Sequence, residues 1–331
     1  MRAEPEDLEK RALFDSLFQG WGLNVVAAEY VAVGFGSHHW LAVGDTGSRH
    51  WVTVDDLTDK AYLGDSPDAA FGSLRRALDT ASALRAGGLE FVVAPVPSAA
   101  GETVRRLGSR HAVAVYPYLD GRSGRFGEGL GAAWRGVLVD ALARLHGTAP
   151  RVPRPVRAID PQLSRRRALE DALGDVRREW RGGPFSEPAR ALLAERAAGV
   201  RRRLETFDRL AAEVRAAGRA RVVTHGEPHP GNVMIDGGRL LLVDWDTAGL
   251  APPERDVWML DTGGGEELAR YAEVSGRPVD SAALRLYRMR WPLEDMAIFV
   301  RWFRSPHRRT ADTEHAWDGF ARAVDPDEED G

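Results

Sequence analysis

Two segments of this sequence decide its fold: His225-Gly-Glu-Pro-His-Pro-Gly-Asn232 and, after a short connection, Leu241-Leu-Val-Asp-Trp-Asp246. The two prolines of the first segment exclude a helix there, and its two glycines permit tight turns and close backbone approaches. Between the segments, the apolar runs 233–235 and 240–243 flank a glycine-rich turn, a pattern that predicts a β-hairpin. The surrounding sequence is mostly helical. A rigid polar loop beside a hairpin in such a setting is a place to look for functional residues.

The polar side chains of these segments are oxygen donors. Glu227 and Asn232 lie five residues apart on the loop, and Asp244 follows twelve residues later at the end of a strand. Carboxylate and amide oxygens without thiolates suit Mg²⁺, which binds through a few carboxylates and phosphate oxygens. A further carboxylate can orient or deprotonate a hydroxyl, as in phosphoryl transfer. We predict Glu227, Asn232 and Asp244 as catalytic residues, and Asn232, Asp244 and Asp246 as metal ligands.

The neighbouring residues leave alternatives open. His225 is predicted to hold the loop by hydrogen bonds. The alternative is a zinc site formed with His229, but that spacing needs a helix, which the prolines prevent. Asp246 can either coordinate a second cation or anchor the loop. The run 254–256, Glu-Arg-Asp, is predicted to be a structural ion-pair set that fixes the loop.

The order of elements changes character near residues 117–128. Before that point the pattern reads β-β-β-α-β-β, after an N-terminal helix over 5–19: strands 27–33, 39–43 and 50–54, helix 69–86, and strands 91–94 and 111–116. Beyond it the chain is mostly helical, with helices over 129–146, 163–180 and 187–217, and two helical stretches after Pro253. Strands followed by helices predict an α+β fold, with an N-terminal lobe at 1–120 and a helical C-terminal lobe at 121–331.

With its flanking residues, the 225–246 block resembles the aminoglycoside phosphotransferase family, whose members have a protein-kinase-like fold. The continuation Gly249-Leu-Ala-Pro-Pro-Glu-Arg-Asp256 is most similar to the spectinomycin phosphotransferase branch. Weaker similarities extend to Gly34-Phe-Gly-Ser37, Tyr116-Pro-Tyr118 and Ala141-Leu-Ala-Arg-Leu-His146. The resemblance implies a bilobal kinase that transfers phosphate from ATP or GTP, with Mg²⁺, to a hydroxyl of a small molecule such as an aminoglycoside, an aminocyclitol or a sugar-like metabolite.

The resemblance also implies binding residues. Gly34, Gly36 and Ser37 would cover the phosphates, and Tyr116 and Tyr118 would form the adenine hinge. Thr53 of the third strand occupies the position where the family places a lysine against the phosphates. A cationic acceptor would need acids and aromatic residues of the helical lobe, for which the candidates are Asp261, Glu266, Glu267, Trp291, Glu294, Asp295 and Trp302.

Two departures from the family pattern favour an alternative, a catalytically weakened protein that binds nucleotide or ligand. Glu227 stands where the family has Asp, and a displacement of about 1 Å at a reacting group can cost about 100-fold in rate. The third strand carries Thr53 where the family has lysine. Lys60 follows that strand after a predicted loop and is expected to be a poor substitute, which would leave Asp79 of the next helix without its ion pair.

Composition narrows the functional class further. The net charge is −4, which argues against a nucleic-acid partner, and no apolar run is long enough to span a membrane. The N-terminus has no signal-peptide pattern, so we expect a cytoplasmic protein. The chain contains no cysteine, which excludes thiol catalysis and thiolate metal sites, and it has only two lysines, Lys10 and Lys60.

Overall fold

The computed structural model describes residues 1–125 and 127–325 of the chain. None of the helices in these ranges combines the length and apolar character that a membrane span requires. The N-terminal part contains α1 (Lys10–Trp21), β1 (Val25–Tyr30), β2 (Ser37–Gly44), β3 (Arg49–Asp56), α2 (Pro67–Ala86), β4 (Arg105–Leu107) and β5 (His111–Pro117).

The five strands form one antiparallel sheet in the order β1-β2-β3-β5-β4. The predicted pattern of three strands, a helix and two strands is therefore confirmed, but one predicted strand is wrong. Residues 91–94 make only a single bridge, from Val92 to Leu242, and the fourth strand is Arg105–Leu107 instead. Pro95 and Pro97 follow the apolar run and lack the backbone N–H that a longer strand needs.

The rest of the chain is mainly helical. Its elements are β6 (Arg122–Ser123), α3 (Ala132–His146), α4 (Arg166–Asp175), α5 (Ser186–Ala217), β7 (Val222–Thr224), β8 (Val233–Asp236), β9 (Arg239–Leu242), β10 (Gly249–Ala251), α6 (Glu254–Val257), α7 (Glu266–Ser275), α8 (Ser281–Arg304) and α9 (Ala311–Val324). The predicted hairpin is confirmed as β8–β9. Two helical stretches were predicted after Pro253, whereas the described residues form α6 to α9; polar caps at Asp280 and Thr310 start the last two helices.

The chain divides into two compact units. The first comprises Met1–Ile159 and Ala220–Val279, and an apolar cluster joins α2, α3, β5, β9 and α7 in it. The second comprises Asp160–Arg219 and the described residues from Asp280 onward, and its core lies among α4, α5, α8 and α9. Neither limit coincides with the predicted boundary at residue 120, so the lobes 1–120 and 121–331 remain a prediction. The sequence predicts a solvated acidic tail over 325–331, of which residues 326–331 lie outside the described residues.

Candidate active site

A buried carboxylate holds the backbone of the 225–232 loop. Asp256, in α6, accepts hydrogen bonds from the backbone N–H groups of His225 (2.8 Å) and Gly226 (2.6 Å), and its Oδ2 lies 3.0 Å from Nε2 of His146. Burial alone would raise the pKa of Asp256, but the hydrogen bond and charge of His146, together with the Arg255 charge, lower it. Asp256 therefore acts as an anionic brace for the loop. His146 was predicted only as the end of a helix; its contact with Asp256 joins residues far apart in sequence, and no local pattern could show it.

Arg255 supports the same loop from the side. Its guanidinium donates to Thr224 Oγ1 (2.8 Å) and to the Thr247 carbonyl (3.0 Å). Gly226 has a φ of +105°, and a Cβ there would lie less than 3.0 Å from the guanidinium. Only glycine satisfies both requirements. The structural role predicted for 254–256 agrees with these contacts, although they are mainly hydrogen bonds to the loop.

Both ring nitrogens of His225 are hydrogen-bonded to backbone groups, one in the loop and one at the end of the hairpin. Nε2 donates to the Val243 carbonyl (2.9 Å), Nδ1 accepts from the Glu227 N–H (3.2 Å), and the ring packs edge-on against Trp245. Burial lowers the pKa of His225, which favours the neutral ring that these bonds require. His229 uses its Nδ1 to accept from the Gly231 N–H. These contacts favour a structural role for His225 over a zinc site.

Asn232 links the loop to the end of the hairpin. Its side-chain amide N–H donates to the Glu227 carbonyl (3.0 Å), and its backbone carbonyl accepts from the Val243 N–H (3.0 Å). The first bond fixes the side chain, so that its Oδ1 is directed away from the loop carbonyl. The second bond places Asn232 beside the residue that precedes Asp244.

Asp244 has an unusual backbone and an unusual electrostatic environment. Its φ of +63° is the only positive value among non-glycine residues in the described ranges, and such conformations cost free energy and concentrate at functional sites. The side chain is accessible to solvent but is surrounded by protein groups. Desolvation by the surrounding protein groups, followed by the negative charges of Asp246, Glu227 and Asp55, raises the pKa of Asp244 well above its usual value, although Lys60 opposes this. The fold thus concentrates negative charge that a cation would neutralise.

Lys60 lies against the end of the 241–246 segment. Its ammonium is buried and lies 2.7 Å from Asp246 Oδ2, 2.7 Å from Asp55 Oδ1 and 2.9 Å from Ser37 Oγ. Tyr62 donates to the same Asp246 oxygen (2.7 Å). Burial alone would lower the pKa of Lys60, but the two carboxylates raise it well above its usual value, so the ammonium is charged. These contacts place Lys60 beside Asp246, and its position after the third strand gave no sign of this in the sequence.

The predicted partner of the strand lysine is also occupied. Asp79, in α2, accepts from Arg154 (2.8 Å) and from Thr103 Oγ1 (2.8 Å), so it does not lack an ion pair as expected. Thr53 lies in β3, and its Oγ1 is 3.3 Å from His39 Nδ1.

The glycine turn connects β1 and β2, and both of its glycines have positive φ values: 69° at Gly34 and 92° at Gly36. A Cβ at Gly36 would meet no atom within 4 Å, so conformation rather than crowding requires glycine there.

Tyr118 stacks under the Arg49 guanidinium. Tyr116 was predicted as a hinge residue whose side chain need not be specific. Burial and then the charges of Asp55, Asp244 and Asp246 raise its pKa well above the usual value, which places its hydroxyl in the same electrostatic field.

Comparison with known proteins identifies the family. The family described as the phosphotransferase enzyme family matches residues 41–287, which is more than half of the chain. The chain belongs to this family. The predicted membership of the aminoglycoside phosphotransferase family is therefore confirmed, and the chain is a phosphotransferase of the small-molecule kinase type.

Individual relatives are more distant. Protein StrN of Streptomyces griseus is 29% identical over 268 residues, which cover 76% of this chain and 77% of StrN. Spectinomycin phosphotransferase APH(9)-Ia, solved with ADP and spectinomycin, superposes with a TM-score of 0.74 at 17% identity, covering 97% of this chain and 96% of that one. The amicoumacin kinase hAmiN, solved with AMP-PNP and Ca²⁺, gives 0.57 at 14% identity, covering 96% and 93%. These likenesses confirm the predicted α+β, protein-kinase-like fold.

The oxygen donors of the 225–246 block fit a magnesium–nucleotide complex. Among residues 1–125 and 127–325, no group of three or more His, Cys, Asp and Glu side chains is arranged to hold a metal ion. Asp246 Oδ2 is engaged by Lys60 and Tyr62, which favours the anchoring role that the sequence left open for Asp246. Asp244 and Asn232 remain as oxygen donors. One or two such ligands with substrate phosphates and water are the usual set for Mg²⁺.

The predicted acceptor residues lie in both units. Asp261, before α7, accepts from the Gly263 N–H (3.0 Å), and Glu266 is exposed in the first turn of α7. Trp291 and Asp295 are partly buried in α8 of the second unit. Glu294, in the same helix, is buried and bonded to the Ser164 N–H (3.1 Å), which favours a structural role for it. The other two candidates are also in contact with their surroundings: Glu267 pairs with Arg135, and Trp302 packs against Phe299.

Proposed function

We propose that this chain transfers the γ-phosphate of a nucleoside triphosphate, ATP or GTP, to a hydroxyl of a small molecule. The observation that carries the proposal is the set of charges around Asp244. Asp244 has a strained backbone, and its carboxylate is repelled by Asp246, Glu227 and Asp55 and attracted by Lys60. The bond from the Val243 N–H to the Asn232 carbonyl places Asn232 beside the residue that precedes Asp244. This arrangement costs stability in the isolated protein, and the Mg²⁺ of a bound metal–nucleotide complex would offset the repulsion.

In the proposed reaction, Glu227 orients the acceptor hydroxyl and takes its proton. The hydroxyl oxygen forms a bond to the γ-phosphorus, and the bond from that phosphorus to the bridging oxygen breaks. The electron pair of that bond leaves with the nucleoside diphosphate. Asn232 and Asp244 hold the metal, and bound Mg²⁺ supplies positive charge to the phosphate oxygens. The backbone of Gly34–Ser37 covers the phosphates.

The comparisons support the classes of donor and acceptor. APH(9)-Ia was solved with ADP and spectinomycin, and hAmiN with AMP-PNP, Ca²⁺ and Ami. We infer an acceptor related to aminoglycosides, aminocyclitols or sugars. Within the first unit, its candidate contacts are Asp261 and Glu266.

The experiment is a transfer assay with ATP and GTP against a panel of aminoglycosides, spectinomycin and simple amino sugars. Product mass and nucleotide consumption are measured together. We expect a phosphorylated acceptor, and we expect Asp244→Ala to abolish its formation. Transfer that survives Asp244→Ala would rule out the metal assignment.

Glu227 favours the second candidate, a protein that binds nucleotide but has lost most of its turnover. Thermal-shift titration with magnesium–nucleotide distinguishes the two. Stabilisation by nucleotide with no transfer to any acceptor supports the binder, and transfer gained by Glu227→Asp indicates a site weakened by the extra methylene. The lysine that the third strand lacks is a weaker argument for this candidate, because Lys60 reaches Asp55 and Asp246.

A further inference from the structure

The loop that carries Lys60 is packed against the rest of the protein. Leu57 and Leu63 are buried at its two ends, and the Leu63 N–H donates to the Lys60 carbonyl (2.9 Å). At Gly64, a Cβ would lie 2.7 Å from Ala69, so the loop packs closely on the start of α2. Arg157 donates to the Tyr62 carbonyl. Lys60 is therefore held in place by packing and hydrogen bonds, in the way that a residue on a strand would be.

The Lys60 ammonium contacts both segments that the proposed function places near the triphosphate, the glycine turn and the 241–246 segment. Ser37, the last residue of the glycine turn, accepts from it at 2.9 Å, and Asp246, at the end of the motif that contains Asp244, accepts at 2.7 Å. Its third contact, Asp55 at the end of β3, also accepts from Ser37 Oγ (2.6 Å). Asp55 thus fixes both the cation and the turn.

The lysine–acid ion pair that protein kinases normally use is not formed in this chain. In protein kinases a third-strand lysine pairs with an acid of the following helix and contacts the phosphates. Here the strand position is Thr53, and the helix acid Asp79 is occupied by Arg154 and Thr103. Lys60 and Asp55 form an equivalent pair, and it is buried.

We propose that Lys60 binds the phosphates of the donor nucleotide and that Asp55 is its anchoring carboxylate. This rests on the proposed function and adds a residue to it. All three N–H bonds of the ammonium are used within the protein, so a phosphate oxygen takes the place of one acceptor, Asp246. Asp246 keeps its hydrogen bond from Tyr62 and stays in position. Lys60 keeps its bonds to Asp55 and Ser37.

The first test uses the two lysines of the chain. Protein labelled with ¹⁵N and ¹³C only in lysine gives two ammonium signals, assigned with Lys10→Met; Lys10 is exposed and pairs with Glu4. Saturating Mg²⁺ with a non-hydrolysable ATP analogue is added, and binding is verified by calorimetry. We expect the Lys60 signal to move and the Lys10 signal to stay. An unmoved Lys60 signal at saturation overturns the proposal.

The second test compares nucleotide affinity in the variants. Lys60→Met should weaken binding at least about tenfold, the effect of losing one charge-assisted hydrogen bond, whereas Lys10→Met should not. Adding Thr53→Lys to Lys60→Met should recover affinity, which a purely structural role would not predict. Equal affinity of folded Lys60→Met and wild type overturns the proposal; if Lys60→Met does not fold, the labelled wild type decides.

The two proposals fail in different ways. Wild type that transfers phosphate while Lys60→Met binds nucleotide equally well contradicts the role of Lys60 alone. Wild type that neither binds nucleotide nor transfers phosphate contradicts the proposed function, and the role of Lys60 with it.

Discussion

Substituting Gly226 by alanine tests how the catalytic loop is held. The added Cβ would lie less than 3.0 Å from the Arg255 guanidinium, at a φ of +105°. The guanidinium has to move, and its bonds to Thr224 and to the Thr247 carbonyl are lost. The loop residues next to Gly226 are His225 and Glu227, so both stability and catalysis should suffer.

The expected cost follows from these two contacts. Each is a hydrogen bond from a charged group, which contributes about 1.5–3 kcal/mol. Losing both therefore costs about 3 kcal/mol or more, in addition to about 1 kcal/mol for alanine at positive φ. A matched control is Gly238→Ala in the β8–β9 turn, where φ is +76° and a Cβ would meet no atom within 4 Å.

Urea denaturation of the two variants and wild type measures the difference. We expect Gly226→Ala to lower the free energy of unfolding by about 3 kcal/mol more than Gly238→Ala does, and to reduce the transfer rate in folded protein. Equal destabilisation by the two substitutions would show that Arg255 does not brace the loop.

Three further predictions concern the carboxylates. Asp244→Asn should abolish transfer yet stabilise the metal-free protein, because it removes repulsion at the site. Solvent screening of this exposed side chain keeps the gain below about 1 kcal/mol. Since the folded-state pKa of Asp244 is raised, wild type loses stability relative to this variant as pH rises above 3.8, and the gap levels off above the folded-state pKa; a constant gap in pH-dependent melting would contradict this. Glu227→Gln should lower kcat about 100-fold or more with nucleotide affinity unchanged, and an unchanged kcat would exclude Glu227 as base. Asp256→Asn should destabilise the protein by about 3 kcal/mol, measured by denaturation, because the buried His146 contact and the loop N–H bonds are disturbed. Asp140→Asn, which removes an exposed pair with Arg270, should cost less than about 1 kcal/mol, and equal costs would refute the brace.

The sequence predicted the parts of the site that lie close together in the chain. Loop, hairpin and turn residues between His225 and Asp246 carry their own signals in proline, glycine and apolar alternation, and the hairpin formed as expected. The three-strand pattern before α2 was predicted for the same reason. These features depend on local sequence, which can be read directly.

The parts that sequence reasoning missed depend on contacts between distant segments. Lys60 and Asp246 are 186 residues apart, and His146 and Asp256 are 110 apart. The run 91–94 has the apolar character of a strand, but its backbone bonds go to Leu242 of the hairpin, so its place in the sheet is taken by β4. No local pattern encodes such pairings.

The measurement that tests the central claim most directly is a crystal structure with a non-hydrolysable triphosphate and Mn²⁺ in place of Mg²⁺, located by its anomalous signal. We expect the metal to be coordinated by Asp244 and Asn232, with the phosphates beneath the Gly34–Ser37 turn and the Glu227 carboxylate facing the γ-phosphate. A metal held elsewhere, or a triphosphate that does not approach these oxygens, would contradict the account.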